Sequence, residues 1–239
     1  MRLDKLLSNM GAGSRKEVKL LLKAGAIQVD GEIVRDPKQH VDVESQQVLM
    51  YGEPVTYQKY IYLMMNKPPG VISATEDKRD ETVIDLLFED VTYFKPFPVG
   101  RLDKDTEGLL LLTNDGAFNH ALMSPKKHVE KTYYAEVAGV LTQEDVEAIA
   151  AGVTLEDGYQ AKPGKLVILS TTETDSTLEL TITEGKFHQV KRMMLALGKE
   201  VTFLKRRSIG RLELDPSLAL GDYRELTPDE LSLFDWQPE

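Results

Sequence analysis

Nine residues, Gly100-Arg101-Leu102-Asp103-Lys104-Asp105-Thr106-Glu107-Gly108, form a polar loop that runs directly into the apolar stretch Leu109–Leu112. A carboxylate in such a loop is held by a buried strand yet opens to a cleft, the placement a nucleophile or general base requires. Spacing alone leaves two readings of Asp103 and Asp105 open, as catalytic carboxylates or as turn and capping residues. Other chemistries are easier to exclude. The chain has no Cys, hence no thiolate nucleophile, no disulfide framework and no Cys-based zinc site, and a reducing cytoplasm is the expected compartment. Its four His lack the H-x-x-x-H spacing that places two on one helix face, so no metal is expected. A two-carboxylate glycosidase would need a second acid at a defined separation, and nothing in the sequence places one.

Such a loop needs a scaffold, and 239 residues, 41% apolar and 28% charged, suffice for two unequal domains with buried cores. The longest apolar stretch, Tyr60–Met65, is far too short to span a bilayer, and the N-terminus has no secretory signal, so no membrane association is expected. A formal charge of −10 argues against a nucleic-acid partner. Its distribution reverses that. Arg2, Lys5, Arg15, Lys16, Lys19 and Lys23 face only Asp4 and Glu17 within the first 24 residues. Lys186, Lys191, Arg192, Lys199, Lys205, Arg206, Arg207 and Arg211 face Glu200 alone in a second run. Two basic runs in an acidic chain point to an anionic polymer.

Local signals give the elements. Leu3, Leu6, Leu7 and Met10 follow helical spacing up to Gly11. Ser14 and Glu17 make a capping box that opens a second helix, with Val18, Leu21 and Leu22 inward and Gly25 as its stop. Ala26–Val29, Asp30-Gly31 and Glu32–Val34 read as a hairpin, and Gln47–Met50 as a further strand. After a linker from Gly52 to about Lys59, short strand-like runs (Ile61–Met65, Leu109–Thr113, Tyr133–Val137, Leu166–Leu169, Leu178–Ile182) outnumber helices at 142–151 and 189–197. Thr113-Asn114-Asp115-Gly116 reads as a turn. Connections too short for parallel crossovers predict an α+β fold: a small helix-helix-hairpin domain over 1–58, then a larger domain over 59–239 with a mixed, mostly antiparallel sheet and flanking helices.

Arg2-Leu3-Asp4-Lys5, Ser14-Arg15 and Gly25-Ala26-Ile27-Gln28-Val29-Asp30-Gly31 resemble an S4 RNA-binding domain. The resemblance implies that Arg2, Lys5, Arg15, Lys16 and Lys19 face structured RNA. Gly100-Arg101-Leu102-Asp103 with Thr106 and Gly108-Leu109-Leu110 is similar to the signature of the RsuA/RluA-type pseudouridine synthases. Asn66-Lys67-Pro68-Pro69-Gly70, Glu130-Lys131-Thr132-Tyr133, the segment from Glu184 to Met193, and Arg207-Ser208-Ile209-Gly210 with Gly221–Leu226 match further motifs in the family's order.

That resemblance implies the isomerisation of uridine to pseudouridine in RNA. The N1–C1′ bond breaks, the uracil turns, and C5 joins C1′; no cofactor is needed. Asp103 would act at the ribose, by adding to C1′ or by removing the C2′ proton. Lys191 would be its counter-charge and Tyr133 would stack on the base. Arg101, Lys67, Lys131, His188, Arg192 and Arg207 would contact substrate, and Lys126, Lys127 and His128, like Lys205-Arg206-Arg207, would meet phosphates around the flipped nucleotide; Asp105 and Glu107 would face solvent or cap the turn. An S4 module together with the Lys131-Thr132-Tyr133 form looks most like the small-subunit branch, which modifies uridine 516 of 16S ribosomal RNA. The alternatives are a large-subunit (23S) synthase and a non-catalytic assembly factor. Ribosomal RNA or a pre-ribosomal particle is the expected partner, and a monomer the expected state.

Overall fold

In the computed structural model, which describes residues 1–124 and 127–238, the chain divides into two compact units. One comprises residues 1–61 with Leu87–Pro96, the other residues 62–86 with 97–239.

The first unit holds helices α1 (Leu3–Asn9) and α2 (Arg15–Ala24) and strands β1 (Ile27–Val29), β2 (Glu32–Ile33), β3 (Val48–Met50) and β4 (Glu53–Pro54). Its small sheet runs β2-β1-β3-β4. Ser14 and Glu17 make both halves of the capping box, and Gly25 ends α2 in the left-handed conformation that glycine adopts most cheaply. Leu3, Leu6, Leu7, Val18, Leu22 and Ile27 are fully or almost fully buried together. A short helix α3 (Glu89–Thr92) also belongs to this unit.

The second unit is built on one large sheet. Its strands are β5 (Tyr62–Lys67), β6 (Phe97–Val99), β7 (Glu107–Thr113), β8 (Lys131–Ala138), β9 (Lys165–Thr171), β10 (Asp175–Ile182), β11 (Glu200–Ile209), β12 (Leu212–Glu213) and β13 (Tyr223–Glu225). They run β13-β5-β7-β11-β8-β10-β9, with β6 on β7 and β12 on β11. Only β7 and β11 pair in parallel, so the sheet is mostly antiparallel as the short connections require. Helices α4 (Gly116–Met123), α5 (Gln143–Ala151), α6 (Gln189–Ala196) and α7 (Pro228–Ser232) flank it. The sequence pattern anticipates α5 and α6 but not α4. Asp115, read there as a turn residue, is the N-cap of α4: its carboxylate accepts from the amides of Ala117 and Phe118 and from the Tyr62 hydroxyl. The same Asn-Asp-Gly signal serves a turn and a helix start, and the apolar positions behind it, Phe118 and Leu122, decide for the helix.

The C-terminal segment is held by Arg224 on β13, which bonds Asp215 at 2.7 Å and Glu230 of α7 at 2.8 and 2.7 Å. The Ser217 hydroxyl and amide, followed by Arg224, hold the Asp215 carboxyl down at about 2. Arg224 likewise lowers Glu230. Depressed acids stabilise the fold above their ordinary range near pH 4 and lose that contribution as pH falls toward 2. Arg224→Met is expected to lower the thermal midpoint at pH 7 by about 2–5 °C. The gap from wild type should close on titration from pH 4.5 to 2; a gap that stays constant would contradict the role given to Arg224.

Candidate active site

The loop carrying Asp103 lies between β6 and β7 and is fixed by groups that leave its carboxylate free. Ser73 Oγ accepts from the Leu102 amide and donates to the Leu102 carbonyl, both at 3.0 Å. The Gly70 amide donates to the Lys104 carbonyl at 2.7 Å. Beneath the loop the Lys67 ammonium donates to the carbonyls of Pro68, Lys104 and Thr106 at 2.9, 3.3 and 2.9 Å. Burial pushes Lys67 down to about 8, against the upward pull of Asp105, Asp103 and Glu107. Lys67, expected to contact substrate, is therefore a fully buried anchor of the loop. The family turn at 66–70 serves geometry, since three carbonyls satisfy all three ammonium hydrogens.

Asp103 opens into a cavity of about 220 Å³ whose walls include Arg101, Thr106, Lys131, Tyr133, His188 and Arg206. Tyr133, 7% exposed, comes from the buried face of β8, and Arg206 on the neighbouring β11 pairs with it. Lys191 stands beside the loop in the first turn of α6, where a cation meets the positive end of the helix and needs a carboxylate opposite. It finds two. Its ammonium lies 3.7 Å from Asp103 and 2.6 Å from Asp105. Asp105, exposed in the turn that the Thr106 amide closes on the Asp103 carbonyl, faces solvent as expected and is also the nearer partner. The Lys191 hydrogen bond is the main cause of the lowered Asp105 carboxyl. The His188 Nε2 lies 3.6 Å from Asp103 on the other flank. His188 itself has positive φ, 49°, and stacks on Phe187. The segment behind it is braced by Glu184, which accepts from Tyr159 at 2.6 Å and from Gln189 at 2.8 Å.

Two further expected contacts point elsewhere. Arg192, one position beyond Lys191 on α6, turns to Glu156 and Asp157, at 2.6 Å each. Arg207 lies on the opposite face of β11 and pairs with Glu179 at 3.1 Å. Arg206 takes the inward place, 2% exposed, with Nε on the Leu109 carbonyl at 2.8 Å. Strand alternation decides between the neighbours: Leu204 is buried, so Arg206 shares its face and Arg207 does not. An irregularity in the β11–β8 register falls between Arg206 and Ser208 and leaves Arg207 unpaired with β8. Burial, and secondarily the charge of Arg206, push Lys131 down to about 8.

In the first unit, Lys5, Arg15, Lys16 and Lys19 are exposed. Arg2 is exposed too but forms a two-point contact with the buried Asp4, at 3.0 and 2.7 Å. Lys127 and His128 fall outside the walls of the Asp103 cavity, and Lys126 lies outside the described residues.

The profile of the RNA pseudouridylate synthase family matches residues 61–196, and that of the S4 domain matches residues 1–48. The chain belongs to the RNA pseudouridylate synthase family and carries an S4 domain at its start; it is an RNA pseudouridine synthase, an isomerase. Within that family it is 58% identical to an uncharacterized RNA pseudouridine synthase of Bacillus subtilis, YtzG, over 98% of both chains. It is 40% identical to the ribosomal large subunit pseudouridine synthase B of the same organism, over 96% of this chain and 93% of the relative. Identity is also 40% to the ribosomal small subunit pseudouridine synthase A of Yersinia pestis, over 97% of both. A crystal structure of a pseudouridylate synthase, 36% identical, superimposes with a TM-score of 0.68 and covers 98% of this chain and 99% of that one.

Proposed function

We propose that the protein converts a uridine of ribosomal RNA to pseudouridine, the target being uridine 516 of 16S RNA, with Asp103 as the residue that acts at the ribose. The observation that carries this reading is the meeting of Asp103 and Tyr133 at one small cavity, with the Lys191 ammonium 3.7 Å from the Asp103 carboxylate. The target uridine must leave its stack to reach this depth. Tyr133 offers a flat face for the base, and Lys191 gives the carboxylate a counter-charge while it either adds to C1′ or takes the C2′ proton. Arg101 and His188 stand at the cavity wall to position the nucleotide, without metal or cofactor. Residues 1–58 act as the RNA-binding domain through Arg2, Lys5, Arg15, Lys16 and Lys19, and residues 59–239 as the catalytic domain. The protein works as a cytoplasmic monomer on rRNA or a pre-ribosomal particle.

The small-subunit assignment rests on likeness to the small-subunit enzymes. Equal identity to a large-subunit synthase supports a 23S target as the second reading. Mapping pseudouridine in both rRNAs from cells with and without the gene decides between them. Loss of the 16S mark supports the first and loss of a 23S mark the second; no change in either RNA overturns both.

Lys191→Met is expected to reduce turnover about 100-fold, a typical loss for one preorganised charge. The Asp105 carboxyl should rise toward its ordinary range, seen by carboxyl-resolved NMR titration. Lys191→Arg should retain the charge and much of the activity. Full activity in Lys191→Met would remove this pairing from the mechanism.

A further inference from the structure

The lining of the cavity includes polar atoms that the proposed function leaves without work. Among the described residues four buried side-chain polar atoms lack a hydrogen-bond partner, and two of them, Thr106 Oγ1 and Arg206 Nη2, belong to residues lining this one cavity. Folded proteins pair nearly all such atoms, so two in one place point to a ligand that supplies the missing partners. Lys131 lines the same cavity, 6% exposed, and donates to the Val129 carbonyl at 3.1 Å, which leaves ammonium hydrogens unassigned. Neither Lys131 nor Arg206 has a carboxylate partner among the described residues. Two buried cations without a counter-ion are costly to hold, and an anion bound between them removes the cost. With its side chain depressed only to about 8, Lys131 is still an ammonium at neutral pH.

We propose that Lys131 and Arg206 bind the detached uracil as its anion, with the Thr106 hydroxyl completing the contacts to the base. The inference rests on the reading that Asp103 acts at the ribose. When the N1–C1′ bond breaks, its electron pair stays on N1, and the charge spreads over N1, O2 and O4. C1′ is taken up by the Asp103 carboxylate, or by the C2′–H electron pair as a double bond while Asp103 holds the proton. The base then turns by half a revolution about the line through N3 and C6. This exchanges N1 with C5 and, equally, O2 with O4. A pair of cations set to receive the two carbonyl oxygens before the turn therefore meets the same pattern after it, and the anion is held throughout. The C5–C1′ bond forms with the anion's electron pair, the C5 proton is lost to solvent as N1 takes one up, and the carboxylate or the C2′ proton returns to its starting place. The remaining lining favours a flat ring over a tetrahedral phosphate: Tyr133, Ile182, Val190 and Leu204 offer apolar surface.

The test uses the full chain and three probes: barbiturate, a planar uracil-like anion at neutral pH; uracil, its neutral counterpart; and inorganic phosphate. Calorimetry should show barbiturate binding at least tenfold tighter than uracil. Lys131→Met should remove that preference, leave uracil binding within threefold, lower turnover about 100-fold and leave RNA affinity within threefold; Lys131→Arg should restore the preference. Equal binding of barbiturate and uracil by the wild type overturns the proposal without recourse to any variant, as does an undiminished preference in Lys131→Met. Displacement of barbiturate by phosphate at similar concentration would make this a phosphate site and overturn it too. Turnover of uridine in RNA is followed in parallel. A wild type that makes no pseudouridine defeats the functional reading, whereas an active wild type with no preference for the anion defeats only the cation pair.

Discussion

Asp103→Asn is expected to lower pseudouridine formation by about 10⁴-fold or more while RNA affinity stays within about threefold of wild type. Asparagine has nearly the same shape but cannot add to C1′ as a carboxylate or accept the C2′ proton. The loop should keep its place, because it is fixed through Ser73, Gly70 and Lys67 on backbone groups and not through the Asp103 side chain. The carboxylate's own attractions, to His188 at 3.6 Å and Lys191 at 3.7 Å, are long and partly solvated, so removing its charge should change stability by less than about 1 kcal/mol. Tritium release from RNA labelled at uridine C5 reads the chemistry, and filter binding reads the affinity. Activity within tenfold of wild type would transfer the chemistry to another residue.

The second large effect lies in the sheet. Gly108 has φ +104° and pairs with Arg206 on one side and Lys67 on the other. A Cβ at Gly108 would strike the Arg206 carbonyl oxygen and lie 2.8 Å from the Arg206 nitrogen, both main-chain atoms that cannot turn aside. Gly108→Ala thus combines a disfavoured backbone angle, about 1–2 kcal/mol, with forced separation of two central strands, about 1–3 kcal/mol. A fall of roughly 5–15 °C in the unfolding midpoint of the second unit is expected, with activity lost in proportion to the displaced Arg206. Gly158→Ala is the control. That glycine also has positive φ but faces open space, so only the backbone part of the cost applies. Equal melting of the two variants would show that the close approach of β7 and β11 has no energetic weight.

What the sequence made legible was local. The Ser14–Glu17 box and the Asp30-Gly31 hairpin each act within a few residues, and each stands in the structure where the pattern puts it. Asp103 was visible because a polar loop beside an apolar strand is a local feature too. Parity was not. Choosing Arg206 over Arg207 needs the phase of β11 relative to the sheet, and three successive cations give no alternation from which to read it. Leu204, two positions before, carried the signal once the strand was known. Lys67 misled for a related reason: a lysine beside a catalytic loop looks like a substrate contact until the three carbonyls above it are located. Asp105 is exposed, as its polar loop suggests, but its bond to Lys191 needed the position of α6, 86 residues away in sequence.

The parallel contact between β7 and β11 has a consequence in time. Gly108 and Arg206 are brought together across almost a hundred residues, and contacts of such separation form late because a long loop must close before they return any energy. A chain still being synthesised, complete through β10, already possesses Asp103 and Tyr133 but lacks the strand that walls their cavity. If the reaction takes place in this cavity, as proposed, catalytic competence is a property of the finished chain, and a nascent or prematurely ended product could hold RNA without modifying it.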